Sequence, residues 1–381
     1  MDNGQVTERS QLAGCKRIVV KIGTRLITGD ATGLNTTFLD SVAQQLAELR
    51  EDGHEFIIVT SGAVFLGRKL LALRKSEDST SLRQAAAAAG QPALMRHWSE
   101  ALSARGLKCG QMLLTRDDMR DRSRYIYLRN TLETLLDKSV IPVINENDSV
   151  SIEGITFEEN DRLAAMVAAT ARANLAVFLS DLDGLYTADP RIDCDAEQIC
   201  RVEPDQDHSA AARGAGGPES RGGMTAKLAA AKMLADCGIP AVMASGYTDR
   251  VILRIVDGEQ LGTFFVPGRP VQGRKLWIAT AIHPMGSLIV DKGAVRALRN
   301  PDGASLLPIG IVRVVGRFNA GDLVSVVGPD GDEIARGLSN YPSEEVSLIS
   351  GHHTREIPDL LGHIGDDEVV HRDNMVLVLG D

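Results

Sequence analysis

Two kinds of hydrophobic segment alternate along the first two thirds of the chain. Short continuous apolar runs predict buried strands: Arg17–Ile22 (RIVVKI), Phe56–Thr60 (FIIVT), Lys108–Leu114, Val140–Asn145 (VIPVIN), Ala176–Ser180 (AVFLS) and Pro240–Ala244 (PAVMA). Between them lie stretches with helical spacing. Thr37–Glu51 places Phe38, Val42, Leu46 and Leu49 on one face, and Gln84–Arg105 reads as helix interrupted at Gly90-Gln91-Pro92. Asn130–Asp137, Asp161–Ala171 and Ala226–Cys237 read as further helices. Strands with little polar alternation, each followed by a helix, predict an α/β fold with a mainly parallel sheet covered on both faces. Such sheets bind ligands beyond the carboxyl ends of their strands.

The pattern changes after about Gly262. Val266–Arg274 (VPGRPVQGR) reads as a linker, and beyond it short strands are separated by turn signals, among them Pro329-Asp330-Gly331. Only Ser343–Ser350 has helical character there, with Ser343 as its N-cap. The expected organisation is a flexible leader over residues 1–14, an α/β domain over 15–265, a linker over 266–274 and a small, mostly-β domain over 275–381. A length of 381 residues agrees with more than one core.

Composition narrows the function. No apolar run approaches the length needed to span a bilayer, and the N-terminal residues lack the apolar stretch of a signal peptide. Five cysteines without a CxxC pair disfavour a disulfide framework and a zinc site, and favour a reducing, cytoplasmic setting. The net charge of −10 disfavours a dedicated nucleic-acid binder. The segment from Arg274 onward holds ten basic and fifteen acidic residues, so RNA binding through it is disfavoured too.

The candidate chemistry lies at the predicted strand ends. Lys21 sits in an apolar strand, where an unpaired cation is costly, and Gly23-Thr24 follow it. Ser61-Gly62 offer backbone N–H groups at a strand-to-helix turn. Ile144–Val150 (INENDSV) and Glu158–Ala165 (EENDRLAA) are polar and acidic, suited either to helix capping by Asn160 or Asp161 or to holding an amine and orienting lysines. Phe178–Pro190 (FLSDLDGLYTADP) contains a tight turn. Glycine-rich Asp205–Gly223 reads as a mobile loop leading into GGMTAK (Gly222–Lys227). Lys227 is followed by Leu228, so the segment is not a Walker A loop.

Taken in order, VVKIGT, TSGAV, GQMLLT, VIPVINEND, END, DLDGLYTADP and GGMTAK resemble the amino acid kinase family, most closely its glutamate 5-kinase branch. SLLPIGI, ARGLSNY, SGHHTREI and VVHRDNM resemble a PUA domain. The resemblance runs from Arg17 to the end of the sequence. It implies an open three-layer αβα sandwich followed by a small barrel-like β domain. It implies ATP-dependent phosphorylation of the γ-carboxylate of L-glutamate, with Mg²⁺ carried by ATP and no metal ligand assigned to the protein. The resemblance gives Lys21 and Lys227 to the phosphates and Asp161 to organising both lysines. Ser61, Gly62, Asp148 and Asn160 are given to the amino acid. Gly23, Thr24, Ser180, Asp181 and the loop Arg221, Gly222, Gly223, Met224, Thr225, Ala226 and Lys227 are given to ATP. It further implies inhibition by L-proline, a homo-oligomer, and delivery of the labile acyl phosphate to γ-glutamyl phosphate reductase. Ser180, Arg221 and Arg162 depart from the residues usual in the family, which have Thr, Thr and Asn there. Acetylglutamate, carbamate, aspartate and uridylate kinases share the fold pattern, but GQMLLT, INEND and the β tail favour glutamate as acceptor.

Overall fold

A computed structural model describes residues 6–28, 33–74, 76–120, 122–150, 159–206, 208, 218–268, 284–300, 304–363 and 365–377. The chain divides into two units, Met1–Pro270 and Val271–Asp381. The expected 266–274 linker falls largely outside the described residues.

In the first unit β1 (Arg17–Ile22) leads to α1 (Thr24–Thr28) and α2 (Thr36–Glu51). Then come β2 (Glu55–Val59), α3 (Ala63–Leu70), α4 (Thr80–Ser103) and β3 (Lys108–Leu114). They are followed by α5 (Arg116–Arg120), α6 (Arg122–Asp137), β4 (Val140–Glu146), α7 (Glu159–Thr170) and β5 (Leu175–Ser180). Three two-residue strands, β6 (Leu185–Tyr186), β7 (Gln198–Ile199) and β8 (Arg201–Val202), precede α8 (Pro218–Asp236), β9 (Ala241–Ser245), α9 (Val251–Val256) and β10 (Thr263–Phe265).

The main sheet has the order β3-β4-β2-β1-β5-β9-β10-β8. From β3 to β9 every pairing is parallel, and β10 turns antiparallel to β9. The strands β1, β2, β4 and β5 therefore end on one edge of the sheet. Side-chain alternation divides the faces. Ile18, Val20 and Ile22 of β1 point into a core shared with α2, α4 and α9. Val19 and Lys21 have the opposite parity and face α7, which packs across β1, β2, β4 and β5, with α8 packed on α7.

Several sequence expectations change. The helix expected to break at Gly90-Gln91-Pro92 runs unbroken as α4, with Pro92 inside it. The glycines serve a helix crossing: a Cβ on Gly90 would lie 1.9 Å from the Ala63 carbonyl oxygen, and one on Gly67 would lie 1.6 Å from that of Ala86. The backbones of α3 and α4 thus touch where side chains would separate them. Asn160 and Asp161 lie within the first turn of α7 and do not cap it from outside. Helix α8 begins at Pro218, so GGMTAK is helical and the expected start at Ala226 is moved upstream. Proline suits a first helical position, and the Ala, Lys, Met and Leu residues that follow favour helix strongly enough to carry the two glycines. The preceding residues 209–217 of the expected loop lie outside the described residues.

Within the expected leader, Arg9–Gly14 forms a 3₁₀ helix with Leu12 buried. The Arg9 guanidinium donates to the carbonyls of Cys200, Glu259, Leu261 and Gly262, which ties this segment to the sheet edge.

The second unit contains β11 (Gly286–Val290), α10 (Lys292–Leu298), β12 (Ile311–Gly316), β13 (Leu323–Val327), β14 (Glu333–Leu338), α11 (Ser343–Ile349), α12 (Ile357–Leu361) and β15 (Met375–Leu377). Its sheet, β12-β11-β13-β14-β15, is antiparallel except between β11 and β13. Leu288, Val324, Val326, Val346 and Ile349 are among its core residues. Helices α10 and α12 were not legible as helices. The N-cap of α11 is Pro342, which makes Ser343 the first helical residue, so the capping role expected of Ser343 falls away. Arg372–Asn374 forms a 3₁₀ turn just before β15. Gly331, with φ +93°, makes the turn between β13 and β14, as Pro-Asp-Gly predicts.

Candidate active site

The carboxyl ends of β1, β2, β4 and β5 bring the first candidates together. Lys21, near the end of β1, is 4% exposed, and its parity aims it at α7. There it meets Asp161, which is 1% exposed. Lys21 Nζ lies 2.5 Å from Asp161 Oδ1. Lys227, in α8 packed on α7, donates to Asp161 Oδ2 at 3.1 Å. One buried carboxylate thus holds two ammonium groups supplied by residues two hundred positions apart in sequence.

The charges shift one another. Burial drives the Lys21 pKa below the ordinary lysine value, Asp161 opposes the shift and Lys227 adds to it. Burial pushes the Asp161 carboxyl upward, but the two lysines outweigh it and leave the pKa below the ordinary aspartate value. Asp161 is therefore ionised at neutral pH, and it is the group that opposes the loss of charge from Lys21.

Beside this pair lies a chain of side-chain amides. The two hydrogens of Asn160 Nδ2 are shared among three acceptors, the Thr60 carbonyl at 3.1 Å, Ser61 Oγ at 2.9 Å and Asn145 Oδ1 at 3.1 Å. Asn145 Nδ2 donates to Gln91 Oε1 at 2.9 Å, and Trp98 Nε1 donates to Thr60 Oγ1 at 2.9 Å. Asn160 Oδ1 is buried with no hydrogen-bond partner in the protein. A buried acceptor left open at a strand-end crevice is suited to a donor on a ligand. Gly62 adopts φ +106° as the N-cap of α3, a conformation that other residues rarely take.

Next to the amides is a cavity of about 270 Å³ lined by Gln91, Pro92, Gln111, Glu146 and Asp148, with alanines of α3 and α4 at its wall. Asp148 is thus placed at a ligand-sized space, on the α4 side of the amide chain.

On the β5 side, Gly23 N–H donates to the Leu179 carbonyl at 3.0 Å, and a Cβ at Gly23 would lie 3.3 Å from the same oxygen. Thr24 opens α1. Ser180 Oγ donates to the Leu182 carbonyl at 2.9 Å and shapes the turn after β5. Asp181 pairs with Arg25 at 2.5 Å and lies 3.9 Å from Arg191. The backbone of Arg221, Gly222, Gly223, Met224, Thr225 and Ala226 belongs to α8, with Met224 buried.

The model of the amino acid kinase family matches residues 16–245, and that of the PUA domain matches residues 286–361. The glutamate 5-kinase of Citrifermentans bemidjiense is 46% identical over 365 residues, covering 95% of this chain and 98% of that protein. Those of Geobacter sulfurreducens and Ectopseudomonas mendocina are 46% and 44% identical, over 96% and 97% of this chain. The chain belongs to the amino acid kinase family, in its glutamate 5-kinase branch. The solved UMP kinase of Bacillus anthracis is 16% identical, with TM-score 0.47, covering 66% of this chain and 96% of that one.

For an amino acid kinase of this branch, the sequence reading named Lys21, Asp161 and Lys227, and the structure brings these three into contact. Asn160 and Ser61 also meet. Thr60, Gln91, Trp98 and Asn145, which complete the amide chain, were not singled out, nor were Arg25 and Arg191 around Asp181. Asn145 carried a signal, since it opens the polar run at the end of β4. Gln91 carried none, being hidden in what reads as a helix break. Among the described residues Asp193, Cys194 and Asp195 lie close together, and all three are exposed.

Proposed function

We propose that the protein transfers the γ-phosphoryl group of ATP to the γ-carboxylate of L-glutamate, giving γ-glutamyl phosphate for proline biosynthesis. The observation that carries this reading is the Lys21–Asp161–Lys227 cluster, set beside an open amide acceptor in a chain whose full-length relatives are glutamate 5-kinases.

The chemistry asks for what these residues supply. A glutamate carboxylate is already ionised at pH 7, so it needs no base to attack phosphorus. The obstacle is repulsion between two anions, and catalysis consists of positioning and charge stabilisation. Lys21 and Lys227 bring two cations to the phosphoryl oxygens, and Asp161 holds them near the same point. Mg²⁺ enters with ATP as part of the substrate. The N–H groups at the start of α3, exposed by the Gly62 turn, suit a carboxylate or phosphoryl oxygen. Asn160, Ser61 and Asp148 take the amino-acid end. Ser180, Asp181 and the start of α8 take the nucleotide, with Gly23 letting the backbone approach it.

L-Proline shares the ammonium and α-carboxylate of glutamate, which supports feedback inhibition at the amino-acid end of the site. The acyl phosphate product is water-sensitive, which supports transfer to a reductase. No helix among the described residues is long and apolar enough to cross a membrane, and the five cysteines are free thiols, in keeping with a reducing cytoplasm. The test is hydroxamate trapping of the acyl phosphate with ATP, Mg²⁺ and each candidate acceptor, with and without proline. The expected result is hydroxamate from glutamate, suppressed by proline. Product from aspartate or acetylglutamate in place of glutamate would overturn the assignment.

A further inference from the structure

We infer that Gln91 is a positioning residue for the amino-acid substrate, acting through Asn145 to fix which end of the Asn160 amide faces the ligand. The inference rests on the proposed glutamate-binding role of Asn160.

The argument follows the hydrogen bonds outward from a group that has no choice. The Thr60 carbonyl can only accept, so the atom of Asn160 that faces it must be Nδ2. That same nitrogen faces Asn145, so Asn145 must present its oxygen. The nitrogen of Asn145 is then turned toward Gln91, which must present Oε1. The polarity of three side-chain amides is set in series, with a backbone carbonyl at one end and Gln91 at the other. Each amide has a mirror-like alternative in which oxygen and nitrogen exchange places, and the chain removes it.

The consequence appears at the unpaired atom. With Nδ2 committed to Thr60, Ser61 and Asn145, Asn160 Oδ1 is left buried and open. An acceptor in that position takes an N–H donor, and the α-ammonium of the amino acid is the donor the substrate offers. A flipped Asn160 would turn an NH₂ toward that ammonium, donor against donor. Gln91 is 8% exposed and also lines the cavity that Asp148 borders, so the outer end of the chain and the amino-acid space share one residue.

Without an acceptor at position 91, Asn145 Nδ2 loses its partner and Asn145 is free to rotate, which releases Asn160. The loss corresponds to about one neutral hydrogen bond, roughly a tenfold change in binding. The experiment compares Gln91→Met, which keeps length and burial but removes the acceptor, with Gln91→Glu, which keeps an acceptor. Hydroxamate kinetics should show the glutamate KM raised about tenfold in Gln91→Met, with the ATP KM unchanged and the effect largely restored in Gln91→Glu. Inhibition by glutarate, which lacks the ammonium, should have the same Ki in Gln91→Met as in the unsubstituted protein. Tm measured on each variant separates folding loss from the binding effect. The inference is overturned if Gln91→Met keeps the original glutamate KM, if Gln91→Met and Gln91→Glu are equally impaired, or if glutarate inhibition weakens in step with glutamate binding. An unsubstituted protein that forms no hydroxamate from glutamate would instead remove the proposed function itself.

Discussion

At the scale of single residues, the site sets one carboxylate against the burial of a lysine. Lys21 is driven toward neutrality by burial and by Lys227, and Asp161 resists. Replacing Asp161 by Asn removes that resistance. If protonated Lys21 is needed at the phosphoryl oxygens, kcat falls as pH rises through its pKa. In Asp161→Asn that alkaline limb should move to lower pH, which a kcat–pH profile will show. The same variant leaves buried Lys21 and partly buried Lys227 without their anion and should lose about 3–5 kcal/mol of stability at neutral pH, read by urea denaturation. Because the Asp161 pKa is lowered on folding, its contribution to stability is present above the unfolded-state pKa and is lost as pH falls through the folded-state pKa. Lys227 makes a different prediction. In the proposed role its removal would take one charge from the transition state, on the order of 3–4 kcal/mol. Lys227→Ala should therefore lower kcat at least about a hundredfold with little change in glutamate KM. A kcat near that of the unsubstituted protein would sink the role.

At the scale of elements, the strands were legible and their helical partners only partly so. A run such as RIVVKI can bury both faces only in a covered parallel sheet, so β1 reads directly from composition. The unbroken α4 does not, because Gly90 and Pro92 are local helix breakers and their reason is tertiary. Gly90 admits the Ala63 carbonyl, a contact invisible in the sequence. The meeting of Lys21, Asp161 and Lys227 could not be read from spacing, since it depends on strand order and on the parity of β1. It became legible through several motifs in the order known for one family. Gly67→Ala should be destabilising by about 1–3 kcal/mol, measured as a drop in Tm, because its Cβ would have to displace the backbone of α4. Gly222 and Gly223 lie inside helix α8, where each costs roughly 1 kcal/mol relative to alanine. Substituting both by alanine should raise Tm. It should also lower kcat, because a stiffer helix start opposes the rearrangement by which this segment would close on ATP.

At the scale of the whole molecule, each unit has its own hydrophobic core. Calorimetric unfolding of the full chain should resolve two transitions. Glutamate with a non-hydrolysable ATP analogue, at about a hundred times the dissociation constant, should raise the one belonging to Met1–Pro270 by the equivalent of about 2.7 kcal/mol. The other transition should stay in place, and a shift of both by the same amount would count against ligand binding confined to the first unit. The order of the sheet has a further consequence, for the history of the chain as it is made. β1 is synthesised early but is paired on one side with β2 and on the other with β5, and Lys227 arrives later still. Until α8 has left the ribosome, Asp161 can hold only one of its two lysines. If Lys227 acts at the phosphoryl oxygens as proposed, a nascent chain passes most of its synthesis without that cation in place, and chemical competence arrives together with the completed domain.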